Sequence, residues 1–185
     1  DFEKAASNMG YLLEQLSCSC ENYDIRFGCF YPNYEEYFHH IAQNELKRND
    51  VQEIVNATIE THINEIYDEF ATRLDKVVRE GKKAIKDLKQ IFLILFYTSN
   101  IPILKSASYN ANTPKGKFVK LIDEGSEYGI HICLYVPNYS AYSSIDLATK
   151  SSSFGKKLIF KDGSGIKTLS DNYSEIEFSK SDNVA

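Results

Sequence analysis

The chain of 185 residues has no tryptophan, a single methionine (Met9), four prolines, nine glycines and four arginines. These shortages close off several classes of function. No Gly-rich phosphate loop is present: the close pair Gly163 and Gly165 falls in a hairpin-turn signal. No G-x-S-x-G elbow is present either, and no catalytic residue can be nominated from spacing. With only four arginines, the chain has little of the forked chemistry that reads phosphates and base edges, so nucleic acid is the least expected polyanion. The longest apolar run, 91–97, is far short of the roughly 20 residues of a spanning helix. A chain starting at Asp1 is expected to be processed, with any leader already removed.

Histidines are also few. His39, His40, His62 and His131 leave little choice of general base, and the last two read as packing residues. Cys18-x-Cys20 and His131-x-Cys133 each place two ligand types on one face of an extended segment. Neither has the two-to-four-residue gap of structural zinc pairs, so no metal and no cofactor is expected.

What is present begins with four cysteines, Cys18, Cys20, Cys29 and Cys133. A Cys18–Cys20 bridge closes too tight a loop, which leaves Cys29 paired with one of them and the other reaching Cys133. Three sequons, Asn56-Ala57-Thr58, Asn138-Tyr139-Ser140 and Asn172-Tyr173-Ser174, point the same way. Together they lead us to expect a secreted, disulfide-stapled glycoprotein.

The apolar pattern suggests the architecture. Ile63, Phe70, Val77, Ala84 and Ile91 recur every seven residues, with Tyr67, Leu74, Gly81, Leu88 and Leu95 interleaved. That spacing predicts one long amphipathic helix through residue 97, opened by Asp50 and Glu53, with a coiled-coil-like seam over 63–95 through which copies could associate. After Pro102 the pattern alternates, and 117–122, 129–136, 142–148, 156–160, 166–169 and 174–178 read as short strands. The expected fold is therefore α+β. A helical region with an N-terminal cysteine loop (1–102) precedes a β-rich region (103–185) holding an antiparallel sheet or small sandwich. The two are expected to form one compact unit joined by the 18/20–133 disulfide.

Charge is segregated along the chain. Residues 1–70 carry 4 Lys+Arg against 14 Asp+Glu, residues 71–120 carry 11 against 3, and residues 121–185 carry 6 against 9. Within the basic block, Lys76, Arg79, Lys83 and Lys86 form a stripe opposite the apolar seam, suited to an anionic glycan or lipid surface. The aromatic residues of the cysteine loop, Tyr23, Phe27, Phe30 and Tyr31, suit contact with a protein. The resulting expectation is a non-catalytic binding protein facing an extracellular or host macromolecule or a polyanion. A membrane-active, toxin-like protein that exposes 91–97 is the alternative. An enzyme of unrecognised class comes third.

Overall fold

Residues 91–97 decide the architecture. The run is apolar on every side and only seven residues long, which suits a strand covered on both faces. In the computed structural model, which describes residues 23–31, 51–105, 110–136, 147 and 153, most of the run is β3 (Gln90–Phe96). It lies in a four-stranded sheet with β1 (Tyr23–Cys29), β2 (Val51–Ile54) and β4 (Ile130–Tyr135), in the order β2-β1-β3-β4. Every pairing is parallel. The chain divides into two compact units, Asp1–Phe154 and Gly155–Ala185, and all described residues belong to the first.

This arrangement overturns the expected antiparallel sheet or sandwich. Parallel neighbours need a crossover, and between β3 and β4 the crossover contains a helix. Residues 117–122, read as a strand, lie inside that helix, α2 (Pro114–Glu124). Its start has a local cause: the Thr113 side chain accepts a hydrogen bond from the Gly116 N–H, and Pro114 opens the first turn. Of the expected strands that are described, 129–136 is one, as β4. The other four, residue 147 apart, lie outside the described residues. The sheet also pairs strands from both sides of the expected boundary at 102.

The single long helix is likewise corrected. The helix α1 runs over Ile59–Glu80 and stops at Gly81, whose φ of 84° and ψ of 168° belong to a region that side chains disfavour. The heptad register therefore crosses a helix, a 3-10 turn (Lys82–Ile85) and a strand. Ile63 and Phe70 of the seam are buried in the chain's own core. Glu53, expected to help open the helix, lies in β2, and Asp50 is outside the described residues. No helix among the described residues is long and apolar enough to cross a membrane.

Strand register sorts the side chains into two faces. Asp24 and Arg26 of β1 align with Ile91 and Leu93 of β3, which align with Ile130 and Ile132 of β4. Arg26 reaches Glu65 on α1, so this aliphatic face lies under the helix. Both described crossovers step in the same direction along the sheet, so right-handed connections put α1 and α2 on one face, where they pack together. The opposite face is aromatic. Tyr23, Phe92 and His131 form one row, with centroids 5.1 and 4.7 Å apart; Phe27, Phe96 and Tyr135 form a second, at 5.8 and 4.9 Å.

Candidate functional site

Strand order reverses between β1 and β3: the chain goes from β1 to β2 on one side and later passes to β3 and β4 on the other. At such a point the loops leaving the carboxyl ends diverge, and a crevice can form between them. The residues there are Cys29, Phe30 and Tyr31 at the end of β1, Phe96, Tyr97 and Thr98 at the end of β3, and Tyr135 on β4. Hydrogen bonds fix this edge. The Phe30 N–H donates to the Phe96 carbonyl (3.0 Å), the Tyr97 N–H to the Tyr135 carbonyl (3.0 Å), and Asn100 Nδ2 to the Phe30 carbonyl (2.8 Å).

Three tyrosine rings meet here. Tyr31 and Tyr97 lie 4.6 Å apart between centroids and Tyr97 and Tyr135 lie 5.4 Å apart, the last two sharing a hydroxyl hydrogen bond. Tyr97 sits at φ 56°, ψ 47°, and among the described residues no other non-glycine has a positive φ. A bulky side chain there stores about 1–2 kcal/mol of strain. The next residue, Thr98, is wholly buried, and its Oγ1 has no hydrogen-bond partner among the described residues.

Burial sets the electrostatics of this edge. It pushes the Cys29 thiol up to about 11, partly offset by a backbone hydrogen bond at Tyr31. The phenols of Tyr97 and Tyr135 are also raised, first by burial; for Tyr97 the neighbouring tyrosines add to the rise. Residues 29–31, 96–98 and 135–136 include no carboxylate, lysine or arginine. Among the described residues, the edge therefore offers neutral rings and hydroxyls.

The opposite, amino-terminal edge is charged. Arg26 Nε and NH2 both donate to Asp24 Oδ2 (3.3 and 3.2 Å), while NH1 donates to Glu65 Oε2 (2.6 Å) and faces His62 Nδ1 (3.2 Å). Arg73, almost fully buried, donates to the carbonyls of Tyr128 (2.8 Å), Gly129 (3.3 Å) and Lys89 (2.7 Å) and to Glu69 Oε1 (2.7 Å). It ties α1 to the segments that lead into β3 and β4.

The residues expected from the sequence are dispersed. Phe27 and Phe30 are buried in the core and Tyr23 is half-buried on β1, so the expected aromatic loop is largely a strand; only Phe30 and Tyr31 reach the carboxyl edge. Lys76 and Arg79 lie on the last turns of α1, where Arg79 pairs with Asp75, while Lys83 and Lys86 lie beyond the helix end. They are therefore not one helical stripe. Cys18, Cys20, His39 and His40 are outside the described residues, and Cys29 and Cys133 are free thiols. Those two thiols are on β1 and β4 with β3 between them, about 10 Å apart at the least, too far to bridge each other. Among the described residues no group of three or more His, Cys, Asp or Glu is placed to hold a metal ion.

Tyr97, Thr98 and Tyr135, and the Asp24–Arg26–Glu65 network, were missed from the sequence. Two signals were available: the short apolar run ending at Ser99, Asn100 and Pro102, as a buried parallel strand does, and two charges interrupting the alternation of Tyr23, Ile25 and Phe27. No family model matches the chain, and no curated protein or solved structure is significantly similar to it.

Proposed function

We propose that this chain is a non-catalytic binding domain whose carboxyl edge takes an uncharged, planar group from a partner molecule. The observation that carries the reading is the buried Thr98 hydroxyl, without a hydrogen-bond partner among the described residues, beside the strained Tyr97, where strand order reverses. An unpaired buried hydroxyl costs about 1–3 kcal/mol, and packing alone gives no reason to keep both it and the strain. Relaxation of Tyr97 uncovers the hydroxyl, and the rings of Tyr31 and Tyr135 stack on the incoming group. Binding is favoured over chemistry because Cys29, Tyr97 and Tyr135 are all pushed toward their neutral forms, the reverse of what a nucleophile or base needs. The extracellular setting stays part of this proposal on the sequons alone; Asn56 of the first is exposed in the turn after β2.

Because the chain has no tryptophan, a Tyr31→Trp variant carries one reporter ring at the edge. Titration with adenosine, nicotinamide and ATP is expected to give a saturable fluorescence change with a neutral planar compound. Thr98→Val should weaken that binding by about tenfold while leaving or raising the melting midpoint, since the unpaired hydroxyl is gone. ATP binding far more tightly than adenosine would overturn the reading in favour of a phosphate site. So would the absence of any saturable change across the three compounds.

A further inference from the structure

A cleft of about 410 Å3 lies at the charged amino-terminal edge, between α1 and the first residues of β1 and β3. Among the described residues its ionisable lining is balanced: Asp24, Glu65 and Glu69 against Arg26, Arg73 and Lys89. The partners are unequally committed. Arg73 is taken up by three carbonyls and Glu69, and Arg26 by Asp24, Glu65 and His62. The Lys89 ammonium has no ion pair among the described residues. Each carboxylate engages through one oxygen: Asp24 through Oδ2, Glu65 through Oε2 and Glu69 through Oε1.

Asp24 and Arg26 also point under the helix from an interior strand of the sheet. Apolar side chains at such positions are generally at least as stabilising as a partly buried ion pair, so the retained charges point to a use. The volume suits a small molecule. Among the described residues, a lining of balanced charge with one free ammonium and several half-used carboxylates is complementary to a ligand carrying both charges.

We infer that this cleft binds a small zwitterion of amino-acid size, its carboxylate on Lys89 and its ammonium among the free oxygens of Asp24, Glu65 and Glu69. The inference is independent of the carboxyl edge. It is tested by calorimetric titration of the full chain with the free L-amino acids, with n-butylamine and butyrate as single-charge controls. At least one amino acid is expected to bind about tenfold more tightly than either control. Lys89→Met should lower that affinity by a similar factor without moving the melting midpoint of the free protein, because Lys89 is exposed and its carbonyl still receives Arg73. Glu65→Gln, at an exposed position, should weaken the amino acid as well. Butylamine binding as well as the amino acid would reduce the site to a cation pocket and overturn the proposal. So would the absence of binding by any amino acid at roughly 10 mM, a concentration at which even millimolar affinity is visible.

Discussion

Arg73 shows how far one side chain can depart from what its sequence position suggests. In the sequence it belongs to a basic block, yet it is buried, and its guanidinium satisfies carbonyls from two separate connections. Five donors in a rigid fork allow this; the ammonium of a lysine cannot span the same acceptors. Arg73→Met should therefore cost about 3–5 kcal/mol, the range for breaking a buried charged network, and Arg73→Lys should recover less than half of it. Urea unfolding midpoints check both, and an unchanged midpoint for Arg73→Met would mean the clamp carries no stability. The same limit applies to Tyr97 and Thr98. Neither is distinctive as a letter in the sequence; only the backbone after β3 gives one its strain and buries the other.

At the scale of elements, two glycines mark the places where local chemistry sets a boundary, for different reasons. Gly81 ends α1 through its backbone angles, and a Cβ added there meets nothing within 4 Å. Gly81→Ala should cost about 1–3 kcal/mol of conformational strain. Gly116 has ordinary helical angles, but an added Cβ would lie 2.0 Å from the Asn110 carbonyl oxygen, in the turn that carries the Thr113 cap. Gly116→Ala must displace backbone and should destabilise more than Gly81→Ala; denaturation curves measured side by side decide the order. Only α1 was partly legible. The inward set Ile59, Ile63, Ile66 and Phe70 follows the helical period, whereas the helix opened by Thr113-Pro114 was expected as a strand over 117–122. The seam beyond Gly81 was misread because strand alternation in β3 happens to place Ile91 and Leu95 on the extrapolated heptad.

For the whole molecule, the two described histidines set the response to acid. His62 is lowered by burial and then by Arg26, with Glu65 and Asp24 opposing; His131 is lowered by burial and then by Arg73. A depressed folded-state value means that the unfolded chain takes up protons first. Their contribution to stability is thus complete above about pH 6.5, the unfolded value, and declines as the pH falls toward the folded values. The melting midpoint should drop between pH 7.5 and 5, and a His62→Gln, His131→Gln variant should drop less; equal slopes would remove the histidines from the account. Across the whole chain, composition and periodicity determined what is local: an amphipathic helix through Ile63, Phe70 and Val77, and an apolar segment at 91–97 that had to be buried. Only the tertiary structure decided that this segment is a parallel strand beside β1. Residues 23–29 and 90–96 pair across 67 positions, and no local pattern encodes which strands meet or in which direction. The same pairing made the reversal of strand order, and with it the edge where Tyr31, Tyr97 and Tyr135 come together.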